Sequence, residues 1–426
     1  MPSKSHLTLY LFTYNLALLP INPPHFTANF LSNLNPAAPQ PDLIVLSLQE
    51  VAPAWISMLP SPNALTKHLT PIIEAVQNST REQFGLGSDE RGYSIVGRHS
   101  IGPTAVLVFA RDREAVREVQ CVEKGFLWRE TGYKGAVGIK VWYSEDGSAR
   151  ETTELVFVGT HLIHGETQWE ARNANWESTV RGLVFEDVQE DGGRRLSGIY
   201  DKDSYLFVLG DLNYRTGDEP PKEEDHEKFP QPSSSRIKTR GIITNLLAKD
   251  QLLREKRQGK TLHGLTEEDI FFLPTYKLKD KSGTISGSSA IGANYEQAAQ
   301  DPEHITWAAH RWPSYTDRIL YLPASPEVKP HNYQAVPSMM GSDHKPVTLH
   351  ISIPKQIPEA KGDDVRLQPP FPLDEEWKSK RDVARKAEAM LGWGAWVGAT
   401  RQGMATAAGT GIGLMAAAYY LKTAWV

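Results

Sequence analysis

Residues 205–213 read YLFVLGDLN, an unbroken apolar run followed by glycine and an Asp-x-Asn pair. A short run apolar at every position and closed by a turn residue predicts a strand buried on both faces, with its polar successors emerging where it leaves the sheet. The same arrangement recurs along the chain. Runs rich in Val, Ile, Leu, Phe and Tyr at 7–14, 43–48, 104–110, 135–143, 155–160, 317–322 and 346–353 predict further strands, and the stretches 167–185 and 242–255 predict helices. Elements interleaved in this way give an α/β protein whose sheets are covered by helices. The charged, Pro- and Ser-rich segment 217–240 and the Gly-, Ser- and Ala-rich segment 282–304 read as loop expansions within one domain.

The strand ends carry the chemistry. Asn15 follows the first strand and Gln49 with Glu50 ends the second. His161 closes VFVGTH, Asp211 and Asn213 close the run quoted above, and Asp343 with His344 precedes the last strand. Any one of these alone is ordinarily a cap or turn residue. Repeated at one sheet edge, they would gather carboxylates, amides and imidazoles around a single cleft, as a hard-metal hydrolase requires. Oxygen ligands suit Mg²⁺, which is held by one or two carboxylates and keeps much of its water, and Glu50 is the first candidate to hold it. For phosphoester hydrolysis Asp211 would orient the water, Asn213 and His161 would donate hydrogen bonds to the phosphoryl group, and His344 would contact or protonate phosphate oxygens. A working histidine needs an orienting partner, and Asp317 is the candidate for His344; its alternative role is a surface ion pair with Arg318.

Bulk properties narrow the classes. The 426 residues carry a formal net charge of -5, which gives no general attraction to nucleic acid, so phosphate affinity must come from local cations or a metal. A single cysteine, Cys121, excludes an internal disulfide and a thiolate zinc cage. The N-terminus alternates like a strand and is not read as a signal peptide.

The segments TYNLA (13–17), SLQE (47–50), YKGAVGIK (133–140), THLIHGETQWEARNANW (160–176), GDLNYR (210–215), FLPTYKL (272–278), RWPSYTDRIL (311–320) and SDHKPV (342–347) resemble the inositol polyphosphate 5-phosphatases, a branch of the endonuclease/exonuclease/phosphatase superfamily. They run in family order across residues 5–354. The resemblance implies a four-layer α/β sandwich of two mixed sheets flanked by helices, the deoxyribonuclease-I-like fold, with a catalytic domain at 1–354. It also implies Mg²⁺ held by Glu50 with help from Asn15 and tuned by Asp343, water activation by Asp211, transition-state stabilisation by Asn213, and contacts from His161 and His344 to the scissile phosphate. Tyr276, Lys277 and Arg311 match positions expected near a 4-phosphate and Tyr133 with Lys134 positions near a 1-phosphate, and Tyr214 is counted with the substrate contacts. The implied reaction is removal of the 5-phosphate from phosphoinositides, chiefly phosphatidylinositol 4,5-bisphosphate, by direct attack of water. The chain departs from the family pattern at Tyr133, Tyr315-Thr316 and Ala309.

Residues 355–402 read as a linker and a basic helical stretch, and 403–421 form an uncharged run close to the length that crosses a bilayer. With Lys378, Lys380, Arg381, Arg385, Lys386 and Arg401 before it, the run reads as a C-terminal membrane anchor that leaves the domain on the cytosolic face, with the endoplasmic reticulum as the expected membrane. An interfacial helix and a segment packed on the domain are its alternatives. Phe126, Leu127 and Trp128 are a candidate shallow contact with the bilayer, ordinary core packing being the alternative. Two other functions remain: a phosphodiesterase of the same superfamily, nuclease or sphingomyelinase type, and a non-catalytic scaffold that binds phosphoinositides. No nucleic acid is expected as a partner, and the sequence points to no protein partner.

Overall fold

Alternating side chains along the apolar runs decide how the layers stack. In chain order the strands are β1 (His6–Asn15), β2 (Leu43–Gln49), β3 (Ser94–Ile101), β4 (Thr104–Ala110), β5 (Val116–Gly125), β6 (Gly135–Tyr143), β7 (Thr153–His161), β8 (Phe185–Val188), β9 (Arg194–Ser197), β10 (Ser204–Asp211), β11 (Leu278–Asp280), β12 (Ile305–Trp307), β13 (Asp317–Tyr321), β14 (Lys329–Ala335) and β15 (Val347–Pro354). The helices are α1 (Pro23–Phe30), α2 (Ala54–Ser57), α3 (Thr66–Phe84), α4 (Trp169–Gly182), α5 (Arg236–Leu247), α6 (Gln251–Arg257) and α7 (Trp377–Ala399). This computed structural model describes residues 6–406 apart from 60, 62, 88–91, 146–151, 189–192, 231–235, 281–304 and 403.

A six-stranded sheet runs β14-β15-β1-β2-β4-β3 and a five-stranded sheet runs β13-β10-β7-β6-β5. Both are mixed, because β1 pairs parallel to β2, and β10 parallel to β7, within otherwise antiparallel ladders. Leu9, Leu11, Val45 and Val108 of the first sheet face Val137, Ile139, Phe157 and Phe207 of the second. One residue along, Tyr10, Phe12, Ile44 and Leu107 turn outward onto Phe26, Phe30, Ile72 and Val76 of α1 and α3. On the other side Val156, Val158, Leu206 and Val208 meet Trp176 and Val180 of α4. The result is the four-layer sandwich that the resemblance implied. Gly159 marks where the sheets press closest, since a Cβ there would lie 2.3 Å from Val106 Cγ2 and 2.7 Å from Ser47 Oγ.

The helix expected at 242–255 is two helices. Asp250 lies between them, its carboxylate accepting from Leu253 N at 2.9 Å to cap α6 and from Arg318 Nη1 at 3.2 and 3.3 Å. The helix expected at 167–185 ends at Gly182, and Phe185 already opens β8. Arg318 forms no surface pair with Asp317, because successive side chains of β13 point to opposite faces. It is fully buried, forked onto Glu267 at 2.5 and 2.6 Å as well as Asp250. Removing it strands two carboxylates in the core, so Arg318→Ala is expected to destabilise the domain by about 3–5 kcal/mol, measured by urea denaturation.

The segment after Pro354 returns over the domain: Arg366 donates to the carbonyls of Lys202 and Pro358, Phe371 packs on His263, and α7 bonds to Glu123 of β5. Among the described residues no helix is long and apolar enough to cross a membrane. Almost all of the expected anchor at 403–421, and the segment 282–304, lie outside the described residues.

Candidate active site

Strand register does most of the assembly. In the second sheet Asp211 pairs with His161 on one side and Asp317 on the other, and in the first sheet Asn15 pairs with Gln49. Four strands thus end level, and Glu50, one residue beyond Gln49, takes φ 51°. Its carboxylate stays partly exposed, with Lys134 Nζ and His161 Nε2 at 3.7 and 3.9 Å.

Asp211 is the hub. Its Oδ2 accepts from Asn15 Nδ2 at 2.9 Å and lies 3.2 Å from His161 Nε2, while Oδ1 accepts from the Asn213 backbone N–H at 3.1 Å. Burial would raise its carboxyl, but the hydrogen bond and charge of His161, together with His344 and Lys134, hold it well below the usual carboxylate range. Asp211 is therefore a fixed anion that orients a water rather than a strong proton acceptor. Burial, then the charge of Lys134, lowers His161 and favours its neutral form, with Nε2 turned to both Asp211 and Lys134 Nζ.

His344 behaves oppositely. Burial alone would lower it, but the Asp317 carboxylate, 2.9 Å from Nδ1, raises it to about 10, so it is an imidazolium at neutral pH. Thr275 and Thr316 hydroxyls donate to the same Asp317 oxygen at 2.7 and 2.9 Å and fix it in place. The orienting pair expected from the sequence is thus formed. Asn213, at φ 57°, donates from Nδ2 to Leu162 O at 3.0 Å.

At the rim, Tyr276 packs on His344 with ring centroids 4.5 Å apart, Lys277 Nζ donates to Asp343 Oδ2 at 2.5 Å, and Arg311 Nη1 donates to Glu166 Oε2 at 2.6 Å. Asp343 also turns its Oδ1 to within 3.9 Å of His344 Nε2. Tyr133 is half-buried and held above its ordinary value by burial and by Glu50, which places it beside that carboxylate. Tyr214 is a correction to the expected substrate set. Its side chain turns into the core, 0% exposed, with its hydroxyl bonded to Asn173 at 2.7 Å and Thr261 at 3.1 Å.

Two site residues escaped the sequence reading. Arg215, the last residue of GDLNYR, bonds Asn213 Oδ1 at 2.5 Å and lies 4.3 Å over the Tyr276 ring, linking the centre to the rim. Glu166 is 3% exposed and holds Arg311, while its Oε1 is buried without a hydrogen-bond partner among the described residues. The only available signal for either was its place in a motif already quoted.

The donor set fits a hard divalent cation. Glu50 offers a partly exposed carboxylate one residue past Gln49, the partner of Asn15, and shares His161 Nε2 with Asp211 at 3.9 against 3.2 Å. Among the described residues no three His, Cys, Asp or Glu side chains converge as a ready-made cage. That suits an ion held by one or two carboxylates and completed by water and substrate oxygens.

The family model described as Endonuclease/Exonuclease/phosphatase family 2 matches residues 12–350. The polyphosphatidylinositol phosphatase INP53 of Saccharomyces cerevisiae is 30% identical over 312 residues, 72% of this chain and 23% of that protein. The type I inositol polyphosphate 5-phosphatase 8 of Arabidopsis thaliana is 28% identical over 354 residues, 74% of this chain and 66% of that one. The chain thus spans under two thirds of each relative. Among solved structures, the inositol polyphosphate 5-phosphatase domain of SPsynaptojanin, in complex with inositol (1,4)-bisphosphate and calcium ion, superposes with a TM-score of 0.59 over 90% of both chains at 22% identity. A Cimex nitrophorin superposes at 0.50 with 16% identity, over 83% of this chain and 100% of that one, so the fold alone does not name a reaction. The family match, the named relatives and the strand-end site agree, and the chain belongs to the endonuclease/exonuclease/phosphatase family, among its inositol polyphosphate 5-phosphatases.

Proposed function

We propose that this protein removes the 5-phosphate from phosphoinositides, converting phosphatidylinositol 4,5-bisphosphate to the 4-phosphate with Mg²⁺ as its metal. The observation that carries the reading is the pairing of a fixed anion, Asp211, with an imidazolium, His344, beside the open carboxylate of Glu50. Mg²⁺ held by Glu50 and Asn15 would supply charge neutralisation at the phosphoryl group. Asp211 orients a water in line with the scissile bond. The water oxygen bonds to phosphorus as the bond from phosphorus to the inositol oxygen breaks; of the water's two protons one stays on the departing inorganic phosphate and one, exchanged through solvent, ends on the inositol oxygen. Asn213 and His344 donate to the phosphoryl oxygens, and neutral His161 is held against Lys134 beside them.

The rim accounts for discrimination. Lys277 and Arg311 are each balanced by one carboxylate in the free protein, and a ring phosphate at the 4-position would compete for both cations. Lys277→Ala is expected to raise KM for the bisphosphate about tenfold with kcat nearly kept, the loss of one charge-assisted hydrogen bond. Initial rates across substrate concentrations check this.

We further propose that the uncharged run at 403–421 holds the enzyme on the cytosolic face of an internal membrane, the endoplasmic reticulum, where tethering concentrates it on lipid headgroups. Phosphate release with Mg²⁺ from vesicles containing phosphatidylinositol 4,5-bisphosphate tests the reaction. Appearance of the 4-monophosphate with the parent chain, and its loss with Asp211→Ala, is the expected result. Cleavage of a phosphodiester instead, or no release from any 5-phosphorylated inositide, sinks the reading.

A further inference from the structure

Helix α7 presents its faces in reverse. The positions turned toward the domain, Arg381, Ala384, Glu388 and Gly392, follow helical spacing and are charged or small. The apolar residues point out: Val383, Met390, Leu391 and Trp393 are 43%, 76%, 45% and 53% exposed. A helix laid on a protein core for the sake of burial does the opposite.

Charge and close fit dock it instead. The Glu123 carboxylate accepts from Arg381 Nε at 2.7 Å and Arg385 Nη2 at 2.8 Å on one oxygen and pairs with His99 Nε2 at 2.5 Å on the other. Glu388 braces Arg381 through two contacts of 3.1 Å. Gly392 meets the chain so closely that a Cβ would lie 2.4 Å from Met58 O.

This docking fixes α7 beside the cleft. It packs on α2, which begins just after Glu50, and touches the 3-10 turn Trp128–Glu130, which precedes Tyr133 and Lys134. Of the three residues 126–128, Phe126 packs toward the core under β6 and α4, and Trp128 is 66% exposed.

We propose that Trp128, Met390, Leu391 and Trp393 form one lipid-facing surface, and that α7 is a strut setting the cleft at a fixed attitude to the bilayer. This inference rests on the phosphoinositide reading above. Three observations commit the surface to a membrane. The apolar face is bordered by exposed Lys386 and by Lys378 and Arg385, which are held by Glu186 and Glu123, the basic flank of a helix lying on anionic lipid. The uncharged run at 403–421 follows directly from the end of this helix. The helix also contacts α2, which follows Glu50, and the turn Trp128–Glu130, which leads to Tyr133 and Lys134, groups that a headgroup would have to reach. A flexible linker before an anchor would leave the cleft free to face away from the lipid; a docked helix does not.

The test compares the full chain with the Met390→Glu/Trp393→Glu double variant. Turnover is measured on phosphatidylinositol 4,5-bisphosphate in vesicles of phosphatidylcholine and phosphatidylserine, and on soluble inositol 1,4,5-trisphosphate. Vesicle turnover is expected to fall at least about tenfold, the burial of two apolar side chains lost, while soluble turnover stays within about twofold. Met390→Leu/Trp393→Leu, which keeps the face apolar, is expected to retain the parent ratio. An unchanged ratio in the glutamate variant, or an equal fall in the leucine variant, overturns the inference. So does a parent chain that is a dimer and becomes monomeric in the glutamate variant with its ratio kept, which assigns the face to a second copy. If the parent hydrolyses neither substrate, the reaction reading fails separately, and weaker co-sedimentation of the glutamate variant with the same vesicles still judges the surface.

Discussion

Asp211→Asn is expected to lower kcat by about 10³-fold, roughly 4 kcal/mol of transition-state stabilisation, with KM little changed. The substitution keeps the shape and the oxygen that accepts from the Asn213 N–H at 3.1 Å, but removes the negative charge that His161, His344 and Lys134 surround. A neutral amide orients water less firmly and can present an N–H where a lone pair is required. The loss should appear in kcat because the oriented water matters only as the bond to phosphorus forms. Steady-state kinetics at saturating Mg²⁺, with circular dichroism as a control for folding, measures it. A fall confined to KM would assign Asp211 to substrate binding instead.

Asp317→Asn should cost about 10²-fold in kcat although Asp317 touches no substrate. Its carboxylate is what raises His344 to about 10 against the opposing effect of burial. Without that charge only Asp211 and Asp343 oppose burial, the imidazole is shifted down toward its neutral form, and the charged donor to the phosphoryl oxygens is weakened. The sign for stability follows. A group raised on folding contributes in full below its unfolded value, near 6.5, and the contribution disappears as pH rises through about 10. The parent should therefore exceed Asp317→Asn in stability most clearly at and below neutral pH, and the gap should close in alkali. NMR titration of His344 in the metal-free protein reads the cause directly: a midpoint near that of an exposed imidazole in the parent would refute it.

How much of this was legible beforehand varies element by element. The eight apolar strands were readable because burial on both faces leaves no polar interruption, as in LIVLSLQ at 43–49. β5, VREVQCVEKG, was not, because a half-exposed edge strand carries charges that look like a loop. β3 and β14, also partly exposed, escaped for the same reason. The break between α5 and α6 was hidden because Asp250 ends one helix through a partner, Arg318, that arrives from 68 residues further along the chain.

The site divides in the same way. The identity of Asn15, Glu50, His161, Asp211, Asn213 and His344 as chemistry-bearing groups was set by local sequence, since each follows or precedes a strand and the motifs are short. Which groups share a charge, which face inward and which serve the rim was decided only by tertiary contacts. Tyr214, three residues after Asp211, points into the core because the backbone turns at Asn213 and sends its neighbour to the opposite side. His344 is charged and His161 is biased toward neutrality although both are histidines at strand ends, because one faces Asp317 and the other faces Lys134. The basic helical stretch read within 355–402 is a helix over Trp377–Ala399, but its basic residues hold it to Glu123 and its apolar residues face outward. Sequence by itself determined the strands, the fold class and the reacting residue types, because hydrophobic periodicity and short motifs are local. Charge states, the core orientation of Tyr214 and the docking of α7 belong to the tertiary structure, because each depends on partners brought together from far along the chain.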